Sequence, residues 1–161
     1  MTLSPETGTE QLELVSRALG RQVISGDDAT TIGKIKAMLL DHGATRIEAL
    51  HVAGRSKNAE VLAWADVGGF GPDAVVMRAG ATLVPVADET QEAMVRHRIT
   101  LLDAKVLGTD GFERGKVADI AFDPVSGALR SLAVNGVNVP ASCIRSLGPY
   151  CWVVDASVPF S

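Results

Sequence analysis

Aromatic residues are scarce in this chain: they make up 4% of its 161 residues, and two of them are tryptophans. So few rings cannot form a stacking platform for single-stranded nucleic acid, and the core has to be built from Val, Leu, Ile and Ala. Basic residues are not in excess either. Lys and Arg number 15 against 19 Asp and Glu, a formal net charge of −4. That is the reverse of the footprint that tracks a phosphate backbone. No apolar run approaches the roughly 18 residues needed to span a bilayer. The opening MTLSPETGTEQ lacks the basic stretch and apolar core of a secretory signal. Cysteine occurs only at Cys143 and Cys151. In a chain read as cytoplasmic both are expected to be free thiols. With 47% apolar and 21% charged residues, the balance is that of a globular chain and excludes extended disorder.

What is present is a repeat. GKIKAMLLDHGATRIEALHVAG (33–54) aligns without a gap on GKVADIAFDPVSGALRSLAVNG (115–136), at an offset of 82. Gly33/Gly115, Lys34/Lys116, Asp41/Asp123, Leu50/Leu132, Val52/Val134 and Gly54/Gly136 are identical pairs. Upstream, LGRQVI from Leu19 matches LDAKVL from Leu102 at an offset of 83. Downstream, Leu62/Val139, Val67/Ile144, Gly71/Gly148, Pro72/Pro149 and Val76/Val153 align at an offset of 77. The change of offset falls in the polar RSKNAEV after Gly54, a surface loop where length varies at little cost.

Each unit reads as short strands punctuated by Gly, Pro and Asp. RQVIS (21–25) and AKVLG (104–108) are strand-like. TTIGKIKAMLLD and FERGKVADIAFD are longer strands, followed by the turns HGAT and PVSG and the second long strands RIEALHVAG and ALRSLAVNG. In those second strands the apolar phase slips once, at Ile47, Leu50, Val52 and again at Leu129, Leu132, Val134. A regular strand alternates with period two, so a β-bulge or a sharp coil of the strand is expected inside both, of the kind that bends a sheet toward a barrel. Between the units, ADETQEAMVRHR (87–98) predicts a helix from Glu89 to His97, with Asp88 and Gln91 as a capping box. Near the start, Ser16 is a candidate cap for one turn ending at Gly20.

The order LG..V, IGKI....LD, RIEALHV, LAWADV and GPDAVVM resembles the PRC-barrel family, small β-barrels named for the H subunit of the photosynthetic reaction centre. The second unit, LLDAKVLG…GKVADIAFDPVSGALRSLAV…GPYCWVV, fits the same pattern. The arrangement looks most like tandem PRC-barrel proteins of actinobacteria, and it covers residues 12–86 and 99–156. The resemblance implies a mainly β fold of two tandem small barrels, 12–86 and 99–157, joined by a helical linker over 87–98. Its motif residues build strands and turns, and it carries over no catalytic residue. A related barrel occurs in a bacterial ribosome maturation factor, which implies an RNA-processing accessory role as one alternative. The second unit departs from the first where Trp64, Ala65 and Asp66 are replaced by Ala141, Ser142 and Cys143.

The residues themselves point to no chemistry. GGFGPD has a proline where a phosphate loop needs an N–H, and a strand follows it instead of a helix. GTDGFERG lacks the alternating ligands of a calcium loop and reads as a hairpin turn at Asp110-Gly111. His42, His51 and His97 have no metal-ligand spacing among themselves or with the cysteines. His51, out of phase with Leu50 and Val52, is expected at the surface or a barrel mouth. Asp41 and Asp123 are expected to cap turns. No catalytic, cofactor-binding or metal-binding residue is therefore expected. The expectation is a non-enzymatic adaptor that binds a protein partner or a second copy of itself as a homodimer, without direct nucleic-acid contact. The candidate partner-binding residues are Trp64, because tryptophan anchors interfaces, and the cations Arg96 and Arg98 of VRHR. A small-ligand binder or enzyme using the cleft between the barrels is a further alternative.

Overall fold

The computed structural model describes residues 12–54 and 59–157. The opening MTLSPETGTEQ and the first four residues of the RSKNAEV loop lie outside the described residues. Strand accounts for 49% of the chain and helix for 12%, so the protein is mainly β. In chain order the elements are β1 (Glu13–Leu14), α1 (Val15–Ala18), β2 (Gln22–Ser25), β3 (Thr31–Leu40), β4 (Ile47–Ala53) and β5 (Glu60–Ala63). A 3₁₀ turn (Trp64–Asp66) leads to β6 (Val67–Phe70), β7 (Val75–Met77), β8 (Val84–Pro85) and α2 (Glu89–Val95). The second unit holds β9 (Lys105–Gly108), β10 (Glu113–Phe122), β11 (Leu129–Val134) and β12 (Val137–Pro140). A second 3₁₀ turn (Ala141–Cys143), β13 (Ile144–Leu147) and β14 (Trp152–Val154) complete it.

The strands form two sheets, one of them curled into a half-barrel. The first has the order β6-β7-β2-β3-β4-β5-β8; the second runs β12-β11-β10-β9-β14-β13, with β1 paired to β10. Without β1 and β8 the two orders are the same, down to the one parallel pair in each, β2/β7 and β9/β14. The register repeats as well. Ile35↔Val52, Ala37↔His51, Met38↔Leu50, Leu39↔Ala49 and Leu40↔Ile47 become Val117↔Val134, Asp119↔Ala133, Ile120↔Leu132, Ala121↔Ser131 and Phe122↔Leu129.

The bulges coincide too. An extra residue enters at Ile32 and Arg114, at Lys36 and Ala118, at Glu48 and Arg130, and at Gly68 and Arg145. Glu48 and Arg130 are the phase slips predicted from the apolar pattern. Each bulge bends its strand and sharpens the twist, and the bent strands bury apolar residues. Those residues are again paired between units: Val23 with Val106, Leu40 with Phe122, Leu62 with Val139, Val75 with Trp152, all fully or almost fully buried. They merge into one continuous core. Each buried Val, Leu or Ile contributes about 1.5–3 kcal/mol.

Turn chemistry follows the sequence. Asp41 accepts from the Thr45 N–H at 2.7 Å and the Arg46 N–H at 3.1 Å, while Asp123 accepts from the Val125 N–H at 2.8 Å. The repeated Gly-Pro closes the β6–β7 and β13–β14 turns, with Gly71 donating to Ala74 and Gly148 to Cys151, both at 3.1 Å. Gly111, at φ +85°, lies in the β9–β10 turn.

Three expectations need correction. Residues 13–18 are not confined to the first unit: β1 pairs Glu13 with Phe122 and Leu14 with Ala121 on β10, and α1 follows it onto the same strand, while Glu13 is also ion-paired with Arg21 at 3.1 Å. Conversely α2 packs on β3, so each lead-in segment is seated on the other unit. Ser16 does not cap α1; its N–H donates to Asp119 Oδ1 at 3.0 Å and its hydroxyl to Oδ2. Helix α2 stops at Val95, and His97 has a left-handed φ of +60°. Its cap holds as expected, Asp88 accepting from the Gln91 N–H at 2.8 Å, but Gln91 returns a bond to the Ala87 N–H rather than to Asp88.

Candidate functional site

Three places gather the residues singled out by the sequence. The first is the seam between the units. Ile47 N–H donates to the Gly127 carbonyl at 2.8 Å and Leu129 N–H to the Thr45 carbonyl at 2.9 Å. Ile47 and Leu129 are repeat partners, as are Thr45 and Gly127, so the two bonds are one bond repeated about a local two-fold axis. Beside it Trp64 meets Phe122 edge-on at 6.5 Å and Phe70 at 5.6 Å, and donates from Nε1 to the Val125 carbonyl at 3.3 Å. Trp64 is 7% exposed. It is an anchor, but one that joins the two units of its own chain, so its side chain is not on offer to a separate protein.

The second place is the cation cluster. Arg96 Nε lies 2.8 Å from Glu92 Oε1 one helical turn back, and Arg98 is exposed. The structure does not bring Arg96 or Arg98 to Trp64. Cys143 and Cys151 are free. Among the described residues no cluster of His, Cys, Asp or Glu has the geometry of a metal site.

The third was not foreseen as a site. His51, expected at the surface or a barrel mouth, is 8% exposed. The reason is α2, which lies over the outer face of β3 and β4. There Met94 Sδ accepts from the Leu40 N–H at 3.3 Å, and Gln91 Nε2 donates to Glu48 at 3.2 Å. In the second unit the matching strand β10 carries the short α1 instead of α2, and the positions equivalent to Leu39, Ala49 and His51 are the smaller or more polar Ala121, Ser131 and Ala133. Between α2, β8 and the first sheet opens a cleft of about 540 Å³, lined by Lys36, His51, Val52, Val86, Val95 and Arg96 among others. Burial pushes His51 below its ordinary pKa, and the nearby Lys36 and His97 act in the same direction. His51 Nδ1 is sealed from solvent and has no hydrogen-bond partner among the described residues. A proton there would be an unsatisfied buried donor, so the neutral ring carries its proton on Nε2.

Comparison with protein-family models and with curated proteins returns no match.

Proposed function

We propose that this chain is a non-enzymatic protein-interaction module, built from two PRC-barrel-like repeats with α2 between them, that binds a protein partner or a second copy of itself. The repeat supplies an internal control for the reading. Whatever both units share is what the fold requires, and the shared residues build strands, bulges and turns. What one unit adds is free for other use.

The observation that carries the reading is the second unit's turns. Phe112 is 70% exposed, Tyr150 70% and Val125 87%. Their repeat counterparts are Thr30, Asp73 and Gly43, so none of these turns needs an apolar tip. Tyr150 is also held in place: Lys105 Nζ lies 4.7 Å from its ring centroid and 3.2 Å from its hydroxyl. A pre-ordered exposed aromatic loses little side-chain entropy when a partner covers it, and Tyr and Phe are enriched in interface cores. The negative charge supports a protein partner over a nucleic acid. No helix among the described residues is long and apolar enough to cross a membrane.

The test exchanges the tips for the first unit's residues, Phe112→Thr, Val125→Gly and Tyr150→Asp together. Wild type and variant are used as baits for affinity capture from the native host, and both are sedimented for self-association. The expected result is an unchanged melting temperature with loss of one captured protein or of the dimer. An identical captured set and identical sedimentation would sink the reading, as would submicromolar RNA binding at physiological salt.

A further inference from the structure

The repeat comparison that isolates the second unit's tips also isolates the first unit's cleft. Lys36 is the extra residue of a β-bulge, and the same bulge in the second unit is made by Ala118. His51 pairs with Ala37 in a register that Ala133 and Asp119 reproduce. Neither a lysine nor a histidine is therefore needed to build this part of the sheet. Bulges re-aim side chains and are frequent beside binding sites, and here the bulge brings a cation to the cleft.

The cleft is mixed in character: its lining combines Lys36, His51 and Arg96 with the apolar Val52, Pro85, Val86 and Val95. Glu92 also lines it and is paired with Arg96 at 2.8 Å, which leaves Lys36 as the charge without an acidic neighbour in the lining. With Nδ1 buried and unpartnered, Nε2–H is the donor at the ring's cleft edge. The volume of about 540 Å³ lies within the range of small-molecule sites, roughly 300–1,000 Å³.

From this we infer that the cleft between α2 and the first sheet is a binding site for a small organic acid, its carboxylate held by Lys36 and His51 and its apolar body along Val52, Pro85 and Val86. This site is not the space between the units, and it stands whether or not the tips of the second unit bind a protein. A neutral histidine donor beside a lysine suits a carboxylate: the lysine supplies the charge and the imidazole a fixed direction. Arg96, oriented by Glu92, also lines the cleft.

Octanoate is the probe, with inorganic phosphate as the anion lacking an apolar body. Calorimetry and the His51 ring proton signals are followed on the full chain. Octanoate is expected to bind saturably with a Kd below about 1 mM and to shift the His51 signals. Lys36→Ala and His51→Ala, which install the second unit's own residues, are expected to keep the melting transition and weaken binding by at least ~5-fold. Arg98→Ala, outside the cleft, is expected to leave affinity unchanged. No saturation by octanoate up to ~10 mM overturns the proposal. So does equal weakening by Arg98→Ala, or phosphate binding as tightly as octanoate, which reduces the site to non-specific charge.

Discussion

Gly127 and Trp64 are in contact across the seam: a methyl group added at Gly127 would lie 2.9 Å from Trp64 Cε2, and Gly127 has a φ of +78°. The glycine's repeat partner is Thr45, which makes the matching hydrogen bond without an indole against it. Gly127→Ala is therefore expected to suffer twice, from left-handed backbone and from the indole. Gly136 provides the reference, because its φ is also +78° but nothing lies within 4 Å of the added carbon. Gly136→Ala should cost about 1 kcal/mol, and Gly127→Ala should cost about 1–3 kcal/mol more, measured by urea unfolding. Equal losses would show that the indole gives way freely.

Gly33 and Gly115 recur at the start of the paired long strands, and both have to stay glycine, for different reasons. A carbon on Gly33 would lie 2.4 Å from the Ala53 carbonyl oxygen, which is main chain and cannot rotate away. Gly115 has φ +123° and lies against the Asn135 side chain, whose Nδ2 donates to the Arg114 carbonyl at 2.7 Å. Both Gly33→Val and Gly115→Val are expected to lower the melting temperature by several degrees, since about 2 kcal/mol or more is lost at each. An unchanged transition in both would contradict the close backbone packing.

The sequence shows these features because they are local. A Gly-Pro turn, an Asp accepting from the N–H groups that follow it, and a phase slip between Ile47 and Leu50 all depend on residues within a few positions. The repeat then carried each one into the second unit, so strand order and register were readable as a pair. What was not readable depends on which surface lies against which. His51 has an outward phase, and only the placement of α2 over that face buries it. Ser16 looks like a cap, but its partner Asp119 is 103 positions away. Trp64 was recognisable as an anchor, though nothing in its neighbours says that Phe122 and Val125 of the other unit receive it.

Trp64→Ala is expected to destabilise the chain by about 3–5 kcal/mol, because it removes a buried indole from the seam together with its bond to Val125. Its repeat counterpart is already alanine, Ala141, so the strand beneath does not depend on the indole. The loss should fall on the coupling between units. Circular dichroism and tryptophan fluorescence, which in the variant comes from Trp152 alone, are expected to give one urea transition in wild type and non-coincident transitions in the variant. Coincident transitions with unchanged stability would mean that the seam is held by the paired Ile47 and Leu129 hydrogen bonds alone.

The buried histidine predicts how stability responds to acid. The folded state holds His51 below its ordinary value, through burial first and the charges of Lys36 and His97 after it. The unfolded chain, with a histidine pKa near 6.5, therefore takes up the proton before the folded one does. The stabilisation from the neutral ring is fully present above about pH 6.5 and is lost as pH falls through the depressed folded value. His42 and His97 are present in both proteins of the comparison, so their contributions cancel. Asp88 and Asp123 are held below the ordinary carboxylate value, chiefly by the N–H groups of Gln91 and Val125 that they accept from. Between pH 7.5 and 5 the urea midpoint of wild type should fall more steeply than that of His51→Ala, which carries the second unit's Ala133 at this position. Parallel curves would mean that His51 titrates alike in the folded and unfolded chain, and that its ring is open to water rather than sealed on its Nδ1 side.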